Sequence, residues 1–225
     1  MTCLFPDVIR FSRGEYWILN EVLEDKFPLN YLGASKDELE LQVGKKSHNL
    51  SHEGLLNTIC NLSNSGLISF FKNGENIHID SIEQIYFELF ERKIKYGGVD
   101  EDSIACGLTK KGGIFWEIFT QPTWDLYIAV EEILLENDYT SFEISSINKN
   151  RLYQYIESLK YYEFNILQET YVEKNLSPWH ATYWKDFDSA HMISFKAIPK
   201  TDANELLKLP TELPPYILRE QWKGT

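Results

Sequence analysis

The chain has 225 residues, with 34 acidic against 22 basic side chains, a formal net charge of −12 and a hydrophobic share of 43%. Its 13 Tyr, 13 Phe and 6 Trp supply enough bulk for a core, which excludes whole-chain disorder. No apolar run approaches the roughly 20 residues that cross a bilayer, and the start MTCLFPDVIRF lacks the basic flank and long apolar stretch of a secretory leader, so no membrane association is expected.

The first helix is expected in residues 15–27, where Trp17, Ile18, Val22 and Leu23 fall near helical spacing and Pro28 stops the run. A second is expected near 35–44, with Ser35 and Glu38 spaced as a capping box. A third starts at Ser51, carries Leu55, Leu56, Ile59 and Leu62 on one face, and stops at Gly66. The run LISFF then reads as a strand, Asn73-Gly74 as a hairpin turn, and 77–80 as the returning strand. Residues 81–95 return to helical period. After an acidic loop, 103–108 reads as a strand, and Thr109 as the cap of a helix bearing Ile114, Phe115, Ile118 and Phe119.

Three helices, a hairpin and a strand running into Leu108-Thr109-x-x-Gly112 resemble the winged helix-turn-helix domains of bacterial regulators, over roughly residues 15–120. In those families the threonine caps the helix after the wing. This chain departs from the pattern by inserting a helix near 81–95. The segment GLTKKGGIFWE also resembles segments of small bacterial proteins of unassigned or immunity-type role.

Residues 126–136 read as an extended or restarted helix, 142–147 as a strand, and 151–164 as an amphipathic helix with Leu152, Tyr155, Ile156 and Leu159 inward. ILQETYVE, HATYWK and HMISFKAI read as a β meander, the last two pairing through a turn at 186–189. The tail after 200 reads as a short helix and a Pro-broken extended segment. The expected fold is α+β: a winged-helix-like domain over 1–138, then a smaller α+β domain with an antiparallel meander over 139–225.

Most motifs for chemistry are missing. The third helix occupies the recognition position, yet no Lys or Arg occurs between Lys46 and Lys72. Asn57, Asn61 and Asn64 could meet base edges, but phosphate neutralisation would rest on Lys45, Lys46 and Lys72 alone. Gly107 and Gly112 have phosphate-loop spacing, but Gly113-Ile114 stand where that loop needs Lys and a hydroxyl. His180, Asp186, Asp188 and His191 have metal-site density, although aspartates at a turn cap it locally. His48 and His52 lack the H-E-x-x-H pattern. Cys3, Cys60 and Cys106 form no disulfide framework and read as reduced thiols, which suits the cytoplasm. No catalytic residue, cofactor or metal is expected.

The acidic excess is spread along the chain: residues 1–125 carry 19 acids and 12 bases, residues 126–225 carry 15 and 10. A surface of that sign repels phosphate backbones and attracts basic proteins. Large aromatics are frequent binding anchors, here Trp116 and Trp124, then Trp179, Tyr183 and Trp184, with Tyr153, Tyr155, Tyr161 and Tyr162 on a helix. Many of these must form core. The expected partner surface is Trp179, Tyr183 and Trp184 ringed by Asp186, Asp188, Glu157 and Glu163. The expected role is a non-catalytic cytoplasmic protein that binds a basic partner, most concretely an immunity protein holding a nuclease-type toxin. A DNA-binding regulator is the alternative.

Overall fold

Ser12 opens the first helix: its hydroxyl accepts from the Glu15 amide, and the Glu15 carboxylate accepts from the Ser12 amide at 2.8 Å. Helix α1 is therefore Arg13–Glu21, two residues earlier than hydrophobic spacing alone suggests. The computed structural model describes residues 9–34, 48–93, 102–135, 139–162 and 164–200. The helix expected near 35–44, Gly97-Gly98, the break at Asn137-Asp138, Glu163 and the tail from 201 lie outside the described residues. The rest is helix and antiparallel sheet, an α+β fold, in two compact units. One runs up to Gln121 and adds Thr182–Trp184; the other takes Pro122–Ala181 and the chain from Lys185.

In the first unit, β1 (Phe27–Pro28) leads into the short helix α2 (Leu29–Leu32). Helix α3 (His52–Asn64) starts at Ser51, whose hydroxyl takes the Gly54 amide at 3.1 Å. It buries Leu55, Ile59 and Leu62, one face at helical period. It ends as the sequence suggests. Gly66 sits at φ +68°, its amide donates to Ser63, and the Leu67 amide donates to Leu62, a Schellman closure. Strands β2 (Ile68–Lys72) and β3 (Glu75–Ile77) turn at Asn73 and Gly74, both at positive φ, as a two-residue hairpin requires. Helix α4 (Ile82–Tyr86) continues as a π turn, Phe87–Glu91. Strand β4 (Ala105–Leu108) then closes a four-stranded sheet in the order β1-β4-β2-β3.

Helix α5 (Lys110–Thr120) follows β4 directly. Thr109 caps it as expected, accepting from the Gly112 amide at 2.9 Å and donating to the Gly66 carbonyl at 2.7 Å. That junction explains the paired glycines. A Cβ on Gly112 would lie 1.9 Å from the Leu67 carbonyl oxygen, and one on Gly113 would lie 2.0 Å from the Trp184 ring. The spacing that imitates a phosphate loop thus serves close packing.

His48 precedes α3 and is buried, its ring edge-on to Trp17 with centroids 5.1 Å apart. Its Nδ1 accepts from the Leu50 amide at 2.9 Å. Burial lowers its pKa; the hydrogen bond with the Leu32 backbone opposes this, and neighbouring His52 adds to it. A histidine depressed on folding stays neutral while the unfolded chain takes up a proton near 6.5. Stability is therefore full above that pH and falls as pH drops through it. Urea midpoints at pH 7.5 and 5.5 should differ more in the natural chain than in His48→Gln, because the variant lacks this proton uptake.

The second unit is built on β5 (Ala129–Leu134), β6 (Thr140–Ser146), β7 (Phe164–Leu176) and β10 (Ala190–Pro199), in the order β5-β6-β10-β7. Helix α6 (Lys149–Tyr162) covers one face and packs Leu152, Ile156 and Leu159 against Phe142, Ile144, Ile193 and Phe195. Three expectations are corrected here. Residues 129–134 form a strand, not a helix: they pair in register with 140–145, and that pairing overrides the helical period. Since β5 and β6 share a sheet, the break expected near 138 lies within one unit, and the units part between Gln121 and Pro122. HATYWK is not a meander strand, because β10 pairs directly with β7 and with β6. Only β8 (Trp179–His180) and β9 (Asp186–Phe187) form a small ribbon in the intervening loop.

Candidate partner-binding surface

The aromatic half of the expected surface is spent internally. Trp184 is 5% exposed, and its Nε1 donates to the Leu23 carbonyl at 2.7 Å. The Tyr183 hydroxyl donates to the Val22 carbonyl and accepts from the Leu108 amide, and burial raises its pKa. Both residues belong to the first unit. Trp179 is 4% exposed and stacks on Phe187 within its ribbon, ring centroids 5.6 Å apart. The two buried tryptophan rings cannot act as exposed anchors, and the half-buried Tyr183 has its hydroxyl committed to backbone groups, so these three serve packing. Within the first unit, the polar tips of Tyr183 and Trp184 find backbone carbonyls.

The acidic half is dispersed. Asp186 holds His180 at 2.6 Å across the β8–β9 ribbon, both exposed. Asp188 is exposed nearby, and its backbone carbonyl accepts from the Ser177 hydroxyl. Glu157, on α6, is exposed and paired with Lys160 at 2.7 Å. The residues with metal-site density, His180, Asp186, Asp188 and His191, divide, since His191 Nδ1 meets Asn175 Oδ1 at 2.9 Å rather than either aspartate. Among the described residues no group of three or more His, Cys, Asp or Glu could hold a metal. Cys106 is buried, which pushes its thiol up to about 12, so little thiolate exists at neutral pH.

A polar knot lies at the β7 edge. Glu173 accepts from Lys149 at 2.7 Å, Tyr153 at 2.9 Å and Tyr171 at 3.2 Å. The Lys149 bond does most to hold the Glu173 carboxyl below the usual range, while burial leads in pushing Tyr171 up to about 12. The hollow beside it, lined by Lys149, Lys174, Asn175 and His191, measures about 200 Å³. Small-molecule sites usually offer roughly 300 Å³ or more.

Near α3 and the hairpin, two cations have intramolecular work. Lys26 donates to the Gly74 carbonyl at 3.2 Å and lies 4.0 Å from the Phe71 ring centroid. Lys111 donates to the Ser65 carbonyl at 2.7 Å. Asn57, Asn61 and Asn64 are exposed on α3, with Glu53 beside them.

Strand β5 carries the acids that sequence reading placed on a helix. Glu131 stands directly opposite Glu143 on β6, and Glu132 opposite Phe142. Opposed residues share a face with Cβ atoms ~5 Å apart, where like charges destabilise the sheet. All three carboxylates are exposed, and no hydrogen bond or ion pair reaches them among the described residues. Glu88, Glu157, Glu173 and Asp186, by contrast, each meet a basic side chain. Val130, Ile133 and Leu134 flank the acids and are 42%, 48% and 77% exposed. The β-branched opening of Ile128-Ala129-Val130 was the available sign of a strand, outweighed by the helix formers that follow.

Compared with known proteins, the chain matches no family model, no curated protein and no solved structure. Among the described residues no helix is long and apolar enough to cross a membrane.

Proposed function

We propose that this chain is a non-catalytic, cytoplasmic bacterial protein that binds a basic protein, most concretely an immunity protein that neutralises a nuclease-type toxin. The observation that carries the reading is the acidic triplet of Glu131 and Glu132 on the edge strand β5 and Glu143 on its neighbour β6, unpaired among the described residues, within a chain of net charge −12. Holding carboxylates opposite each other without a counter-ion costs stability, and a cationic partner repays that cost. A nuclease groove is lined with cations for phosphates, and carboxylates at phosphate positions can fill it, with fast electrostatic association. The winged-helix-like order of helices and hairpin in the first unit then works as a protein-contact scaffold, since a fold does not dictate a function.

Affinity capture with the tagged chain at about 50 mM salt should enrich a basic polypeptide that elutes as salt screens the contact. Co-expression with that polypeptide should relieve its toxicity. Recovery of no basic partner at low salt would overturn the reading. A regulator would instead shift genomic fragments in a gel at the same salt, where non-specific affinity is strongest. The committed Lys26 and Lys111 and the cation-free α3 argue against that result.

A further inference from the structure

Among the described residues two edges bound the sheet of the second unit, β5 and β7. An edge strand presents unpaired N–H and C=O groups, a template for one more strand unless the chain blunts it. The β7 edge is blunted. Its pairing with β10 shifts register between Ser194 and Lys196, where the Lys196 amide turns to the Thr170 hydroxyl at 2.8 Å, and Lys174 stands exposed on it. The β5 edge has six residues in continuous register with β6, no bulge and no lysine.

We propose that β5 is a docking edge that accepts an extended basic segment of the partner protein as a fifth strand. This deepens the proposed function and rests on it. The edge reads Val130-Glu131-Glu132-Ile133, so its cross-strand complement is apolar-basic-basic-apolar. That order is the same in both directions, so parallel and antiparallel docking both satisfy it. A lysine or arginine opposite Glu131 lies on the face that also carries Glu143 and completes a row of acid, acid and base across three strands. A second basic residue meets Glu132 on the other face, and apolar neighbours cover Val130 and Ile133. Backbone hydrogen bonds supply affinity and the alternating side chains supply specificity, as in other strand additions. The charges also decide against a second copy of this chain. Pairing β5 with itself in that register sets carboxylates against carboxylates, a repulsive arrangement.

The test uses the full chain and four synthetic probes: the peptide Thr-Val-Lys-Lys-Ile-Thr with blocked ends, the same peptide with Glu-Glu at its centre, the Lys-Lys peptide N-methylated at its four central amides, and a scrambled control. The Lys-Lys peptide should bind, and hydrogen exchange should slow at residues 129–134. The Glu-Glu, N-methylated and scrambled peptides should bind at least tenfold more weakly. Glu131→Lys with Glu132→Lys should lose the Lys-Lys peptide and gain the Glu-Glu peptide. Glu131→Gln with Glu132→Gln, the milder variant, should weaken Lys-Lys binding about tenfold with unchanged circular dichroism. Equal binding of the N-methylated peptide would overturn strand addition while leaving the basic-partner reading standing, because the carboxylates would then act without the edge. A sedimenting dimer with residues 129–134 protected in the absence of peptide would overturn it in favour of self-pairing. No binding of any peptide would also overturn it, and the capture experiment would judge the broader reading separately.

Discussion

Gly113→Ala should destabilise the first unit by about 2–3 kcal/mol, yet stabilise it by up to ~1 kcal/mol in a Trp184→Ala background. The reversal follows from one contact. An alanine Cβ at 113 would lie 2.0 Å from Cε3 and 2.2 Å from Cζ3 of Trp184, and that ring cannot withdraw cheaply. It is buried, edge-on to Trp116 and hydrogen-bonded to Leu23. Trp184→Ala on its own should cost about 3–5 kcal/mol, the usual loss for a buried tryptophan. Once the ring is gone, the clash is gone, and alanine's better helix propensity inside α5 remains. Gly112→Ala is the control. Its Cβ would meet the Leu67 carbonyl oxygen at 1.9 Å, which is backbone, so it should destabilise in both backgrounds. Urea unfolding of the four chains of the cycle gives the coupling directly. Additive costs for Gly113→Ala and Trp184→Ala would mean that Trp184 does not sit against α5.

Phe142→Ala should cost the second unit about 3–5 kcal/mol. The ring is fully buried, stacked on Phe195 at 5.2 Å between centroids and edge-on to Phe164 at 5.0 Å. It also stands directly opposite Glu132 on β6, so it supports the strand that carries the candidate site. Hydrogen exchange should accelerate at β6 and β10 together, and Phe142→Leu should recover most of the loss because it refills much of the volume. A loss below about 1 kcal/mol would show that the core centres elsewhere.

Much of the first unit was legible because its signals are local. Ser51 and Gly66 bracket α3, Asn73-Gly74 make the hairpin, and Thr109 caps α5; each bonds to backbone within a few residues, so short spacing reveals it. The partner surface was far less legible. Trp179, Tyr183 and Trp184 carry the composition of a binding patch, but burial is a property of what packs against them. Nothing near Tyr183 signals that its hydroxyl will meet Val22 and Leu108, 161 and 75 residues away. The acids that stand unpaired among the described residues, Glu131 and Glu132, were hidden in a run whose Ala, Glu and Leu favour helix.

By itself the sequence determined the acidic balance, the absence of cations along α3, the caps and turns, and the lack of a phosphate loop, because these depend on residue identity and short-range spacing. Tertiary structure alone decided that 129–134 is a strand, that Trp179 and Trp184 are interior and Tyr183 half-buried, and that Glu131 faces Glu143. The reason is physical: cross-strand partners and buried surfaces come from segments distant in the chain, and the pairing energy of a whole sheet outweighs the few tenths of a kcal/mol by which a residue prefers one local conformation.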